Sequence, residues 1–151
     1  MCTANICRSA MAAEYARHRV AQENLGHLVV DSCGLLGIEG APASDEAIQV
    51  LREAGLDLTG HRSRGVRASD LRSADRILVM TLRHREEIAA RFPGSDDRTY
   101  LLRAFESGPV PSEGSLDLDD PISMPVAFYR ATFDRIRACV DHLVIHLKHD
   151  A

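Results

Sequence analysis

The chain has no run approaching the ~18 apolar residues that a membrane-spanning helix needs. It shows no signal-peptide pattern of basic start, apolar centre and small-residue cleavage site. It has no excess of basic residues: Lys and Arg number 18 against 22 Asp and Glu, for a net charge of −4. That balance argues against nucleic-acid partners, which select a basic face, and the absent span argues against a membrane. There is no Cys-x-x-Cys and no Cys/His cluster, so no structural zinc site is expected. Four cysteines without framework spacing read as free thiols in a reducing cytoplasm. Internal repeats and dividing linkers are also missing, and one domain over residues 1–151 is expected.

What remains is an ordinary globular balance, 45% hydrophobic and 26% charged, in a chain long enough for a real core. Apolar periodicity predicts helices over Ala10–Gln22, Ser44–Ala54, Ala68–Ser73, Leu82–Arg91 and Pro125–Lys148. In the last of these Ala127, Phe128, Ala131, Ile136, Val140, Leu143 and Leu147 are expected to face inward. Short apolar runs predict strands at His27–Ser32, Arg76–Met80 and Thr99–Leu102, with loops at Gly34–Ala43 and Ser107–Pro121. Strands alternating with helices imply an α/β fold, a small doubly wound parallel sheet with helices on both faces. In such sheets ligands bind beyond the carboxyl ends of the strands.

The chemistry is concentrated in the first nine residues, Met1-Cys2-Thr3-Ala4-Asn5-Ile6-Cys7-Arg8-Ser9. Cys2 and Arg8 flank five residues, and a helix follows. A short loop bent back on itself points successive N–H groups inward and forms an anion nest. The helix start adds unpaired N–H groups and a positive dipole end. Arg8 can close on two phosphate oxygens with its planar fork. Cys2 would then lie at the floor of a nest formed by Thr3, Ala4, Asn5, Ile6, Cys7, Arg8 and Ser9. The field that holds a phosphate also favours thiolate, the nucleophilic form of cysteine. Asn5 tolerates left-handed backbone, Ser9 suits a helix start, and its hydroxyl can donate to the Cys2 sulfur.

Breaking a phosphate ester leaves an alkoxide or phenoxide that needs a proton, which a loop carboxyl can supply. Asp120 is the candidate, with Pro121 restricting its backbone; Asp117 and Asp119 are rivals. The nest and Arg8 provide the charge stabilisation, so neither a metal nor another cofactor is called for.

Cys2-Thr3-Ala4-Asn5-Ile6-Cys7-Arg8-Ser9-Ala10-Met11 resembles the signature of the low-molecular-weight protein tyrosine phosphatases. Val30-Asp31-Ser32-Cys33-Gly34, Gly60-His61-Arg62-Ser63-Arg64, Ile77-Leu78-Val79-Met80 and Asp120-Pro121 resemble further segments of that family, in its order. The resemblance implies a four-stranded doubly wound fold. It implies hydrolysis of protein phosphotyrosine through a phosphocysteine intermediate, with Cys2, Arg8 and Asp120 catalytic and inorganic phosphate as product. It also implies that Ser32 bonds Asn5 to hold the loop, and that Cys7 can pair reversibly with Cys2. For Cys7 a second reading stands, a small buried loop residue. Cys33 and Cys139 read as packing residues, and His61 as a structural histidine. A cytoplasmic monomer or weak dimer is expected.

The chain departs from the family pattern at four places. Ala10 replaces a helix-starting proline. Ile122 and Ser123 follow Asp120-Pro121 where aromatics are frequent, and Ile38 falls where another aromatic is common. These changes remove ring-stacking surface, unless another residue such as Tyr129 serves the pocket. Ile6 is nonetheless the residue of the tyrosine-directed members, where the phosphoarginine-directed relatives carry threonine. Finally, relatives place a central strand before the nucleophile, whereas one residue stands before Cys2 here. That predicts a natural start upstream of Met1. Two further readings keep the fold: a thioredoxin-linked arsenate reductase, and a phosphate-binding module with weak or no turnover.

Overall fold

A strand with alternating partners organises the molecule. The computed structural model describes residues 1–107 and 115–150. Helices α1 (Arg8–Gln22), α2 (Asp45–Glu53) and α3 (Ala68–Ser73) come first, then β1 (Ile77–Val79) and α4 (Leu82–Arg91). Strand β2 (Thr99–Leu101), a 3-10 turn over Leu102–Phe105 and the long α5 (Val126–His149) follow. β1 and β2 pair in parallel, Ile77 opposite Thr99 and Val79 opposite Leu101. Successive strand side chains point to opposite faces, and β1 uses this to serve two cores. Ile77 and Val79 pack with Leu35, Leu71 of α3 and Ile88 of α4. Leu78 and Met80 face a larger cluster with Met11, Leu51, Tyr129, Phe133, Ile136 and Val140 from α1, α2 and α5. Helices therefore cover both faces of the sheet, as the alternating pattern required.

Capping explains the sharper boundaries. Ser44 accepts from Ala47 N–H at the start of α2, and Thr81 accepts from His84 N–H at the start of α4. Gly55 follows α2 at φ 78°, a left-handed stop that glycine takes without strain.

Three expectations are corrected. The strand expected over His27–Ser32 does not form. Val29 is 93% exposed, and in its place are single parallel bridges from Gly34 to Cys2 and to Gly65. Met1 and Cys2 lie between that bridge and β1, with the Met1 ammonium donating to Leu78 O at 2.6 Å. A strand needs a paired neighbour along its length, and the described residues give His27–Ser32 none. Second, α1 begins at Arg8, two residues early, so Ser9 lies inside the helix rather than capping it. Third, Ala127, Phe128 and Ala131 of α5 are exposed, while Tyr129, Thr132 and Phe133 are buried. The stripe is rotated there because Tyr129 fills space behind the nucleophile loop. Of the polar loop expected over Ser107–Pro121, residues 108–114 lie outside the described residues, as does 151.

Candidate active site

The loop from Cys2 to Arg8 is pressed against Gly34. A Cβ at Gly34 would come within 2.7 Å of Thr3 O and 3.0 Å of Asn5 N, so only glycine allows the approach. Leu35 N–H donates to Cys2 O and Leu36 N–H to Thr3 O, at 3.0 and 2.9 Å. These contacts dock the loop to the following turn as a strand would.

Asn5 is the centre of the loop. It is fully buried and left-handed, at φ 60°. Its amide nitrogen donates to Ser9 Oγ (2.9 Å) and Ser32 Oγ (3.0 Å), and its amide oxygen accepts from Arg64 N–H (3.1 Å). The His61 ring nitrogen Nε2 donates to the Asn5 carbonyl. Four partners from three separate segments thus hold this left-handed residue in place. The result is chemical as well as structural: Asn5 N–H points at Cys2 Sγ at 3.3 Å, and Ser9 Oγ lies 3.0 Å from the same sulfur. A thiolate there has two donors.

Arg8, the first residue of α1, is 3% exposed. Its Nη1 donates to Leu118 O at 2.8 Å and its Nη2 to Asp120 Oδ2 at 3.0 Å. Its Nε is buried and unpartnered. A buried donor without an acceptor costs about 1–3 kcal/mol, and an anion in the nest would satisfy it. The three candidate carboxylates separate here. Asp120 alone pairs with Arg8, while Asp117 Oδ1 is spent on Leu82 N–H at 2.7 Å and Asp119 is exposed.

The model of the family "low molecular weight phosphotyrosine protein phosphatase" matches residues 1–151. The chain belongs to that family. A protein-arginine-phosphatase of Geobacillus stearothermophilus is 35% identical over 148 residues, 98% of this chain and 93% of its own. A solved structure of the arginine phosphatase from that organism superposes with a TM-score of 0.86 at 34% identity, covering 99% and 90% of the two chains. A low molecular weight protein-tyrosine-phosphatase of Acinetobacter johnsonii is 29% identical over 97% of this chain and 94% of its own. An arginine phosphatase with serine replacing cysteine, captured with that active-site serine phosphorylated, superposes at TM-score 0.89 and 28% identity, covering 99% and 93%. As a member of this phosphatase family the protein is a hydrolase, a protein phosphatase.

For this family member the remaining candidate residues fall behind the loop. Cys7 Sγ lies 3.4 Å from Tyr129 Oη and 3.5 Å from Ser44 Oγ, and burial pushes its thiol pKa up. Tyr129 is 1% exposed, so it braces the back of the loop and does not line the pocket mouth. Cys33 and Cys139 are both buried, and burial raises the Cys139 thiol to about 11. Arg64 ties Asp31 to Asp70, at 2.7 and 2.8 Å, and so fixes the backbone N–H it offers Asn5.

Two residues that sequence reasoning missed lie at the site or behind it. His84, 5% exposed, places Nε2 3.0 Å from Thr3 Oγ1, and its Nδ1 is buried without a partner. Burial, then Arg8, lowers its pKa to about 4. Arg103, 8% exposed, holds the chain just before Asp120. Neither stands in a motif; each owes its place to packing between distant segments.

Proposed function

We propose that this phosphatase hydrolyses phosphotyrosine in proteins, with Cys2 as nucleophile, Arg8 as phosphate clamp and Asp120 as general acid and base. The observation that carries the reading is the convergence of Cys2 Sγ, the unpartnered Arg8 Nε and the Asp120 carboxylate on one loop. Phosphate oxygens take the N–H groups of residues 3–9 and the free edge of Arg8. The thiolate attacks phosphorus, the ester P–O bond breaks, and the departing oxygen takes the proton carried by Asp120. Water then attacks the phosphocysteine, Asp120 accepts its proton, and the P–S bond breaks to release inorganic phosphate and thiolate. Ser9 and Asn5 N–H, already on the sulfur, stabilise it as it leaves.

Ile6 supports the aryl ester. Its side chain packs against the main core beside the nest and offers apolar rather than polar contact. Ile122, two residues after Asp120, is 46% exposed and adds apolar surface. The arginine-phosphatase relatives give phosphoarginine a place as second substrate. Arsenate reduction on this fold relays its electron pair through two further cysteines, and the chain has none between Cys33 and Cys139, which gives that reading no support.

The test is hydrolysis of phosphotyrosine and phosphoarginine peptides in parallel, with Cys2→Ser as control. Faster turnover of phosphotyrosine, abolished in Cys2→Ser, is expected. Preference for phosphoarginine would reverse the substrate assignment. Turnover by Cys2→Ser would remove the nucleophile, and tight vanadate binding without turnover would leave only a phosphate-binding module.

A further inference from the structure

Arg103 lies in the 3-10 turn after β2, far in sequence from the nucleophile loop. Its side chain is 10% exposed, a rare place for a guanidinium without a task. Nη1 donates to two backbone carbonyls of one segment, Ser115 O and Asp117 O, both at 2.9 Å. Nε is paired with Glu106 Oε2 at 2.9 Å, and Glu106 is held in turn by Arg135 of α5 at 3.4 Å. The segment so gripped runs directly into Leu118, which is 2% exposed, and then Asp120. Leu118 N–H donates to Met80 O at the end of β1, and Asp117 Oδ1 caps Leu82.

The other arginine on this segment is Arg8, and its hold is conditional. Nη2 of Arg8 is on the Asp120 carboxylate. A phosphate in the nest competes for that donor, and Asp120 must carry a proton to act as an acid, which removes the ion pair. During the first chemical step Asp120 has lost its ion pair, and its placement falls to the Ile122 N–H on Oδ1 and to the backbone behind it. Arg103 holds that backbone through contacts no substrate disturbs.

We propose that Arg103 is a positioning residue for leaving-group protonation, clamping the Ser115–Asp117 backbone so that Asp120 reaches the ester oxygen. This rests on the assignment of Asp120 as general acid. A carboxyl displaced by ~1 Å costs up to ~100-fold in proton transfer, and the cost grows with the basicity of the leaving group.

The experiment compares kcat/KM for phenyl phosphate, whose leaving group needs a proton, with p-nitrophenyl phosphate, whose leaving group needs it less. Vanadate binding and thermal melting are followed in each variant. Arg103→Gln is expected to lower kcat/KM for phenyl phosphate about 10- to 100-fold, and at least about fivefold less for p-nitrophenyl phosphate. Vanadate affinity should hold within about twofold, since the nest is untouched. Arg103→Lys keeps the charge with a poorer reach to two carbonyls, so the same selective loss should appear at smaller size. It also serves as the measurement if Arg103→Gln does not fold. Glu106→Gln loosens only the outer side of Arg103 and should show no selectivity. Added to Asp120→Asn, Arg103→Gln should cost phenyl phosphate nothing more. Equal loss on both substrates, or none, overturns the proposal. If Asp120→Asn itself shows no leaving-group dependence, the acid assignment fails and this inference falls with it. If Asp120→Asn shows it and the Arg103 variants do not, only the role of Arg103 is lost.

Discussion

The guanidinium of Arg8 and the carboxylate of Asp120 are 3.0 Å apart, the arginine side chain 4% exposed and the aspartate 43%. The proposed phosphate clamp and the proposed acid therefore hold each other. Both partners are tethered elsewhere as well, Arg8 to Leu118 O and Asp120 to Ile122 N–H. The contact is a resting arrangement, and the unpartnered Arg8 Nε is the donor that it leaves over.

Asp120→Asn removes that pair and the acid together, with opposite effects on binding and rate. Freed from its carboxylate, Arg8 should bind inorganic phosphate or vanadate at least as tightly as before. Loss of the acid should lower kcat/KM for phenyl phosphate by about 100- to 10,000-fold. Competitive inhibition constants and steady-state rates on one preparation check both. A large loss of vanadate affinity would show that Asp120 helps bind the anion.

Asn5→Ala should cost more than its size. It removes three side-chain hydrogen bonds and leaves Ser32 and Arg64 N–H to find new partners. It also puts alanine at φ 60°. The expected loss is ~2–4 kcal/mol in urea unfolding. Asn5→Gly relieves the backbone strain but not the lost bonds, and should recover about 1 kcal/mol of it. Equal stability of the two variants would show that the left-handed backbone carries no cost here.

His84 should make the fold acid-sensitive. Its folded pKa of about 4 lies below the ordinary 6.5, because burial and the nearby Arg8 and N-terminal ammonium disfavour the charged ring. Between those values the unfolded chain binds a proton that the folded chain refuses, so stability falls as pH drops from about 6.5 to about 4. The slope approaches ~1.4 kcal/mol per pH unit at most. Urea midpoints at stepped pH check it, and His84→Gln should flatten this part of the curve. An unchanged slope in His84→Gln would assign the acid loss to other groups.

Much of this protein is legible from local pattern. The bounds of α3 and α4 match their expected ranges because each begins at a turn and ends where apolar periodicity stops. Cys2, Arg8 and Asp120 stand out as candidates because phosphate chemistry needs a nucleophile, a fork and an acid, and each has a distinctive neighbour. His27–Ser32 reads as a strand by composition, yet pairing depends on a neighbour, which composition does not encode. The inward face of α5 is not legible at its first turns, because alanine and phenylalanine there carry no mark of which side meets the core.

The sequence by itself determined the kind of fold and the Cys2–Ser9 loop that carries the proposed chemistry, since spacing and residue type fix which groups a nine-residue loop can bring together. Only the tertiary structure decided which of three aspartates meets Arg8. It alone placed Tyr129 behind Cys7 rather than at the pocket mouth, and His84 and Arg103 at the site. Those contacts join residues 81 to 122 positions apart or run from a side chain to a backbone carbonyl, and they exist only once β1, α4 and α5 have packed.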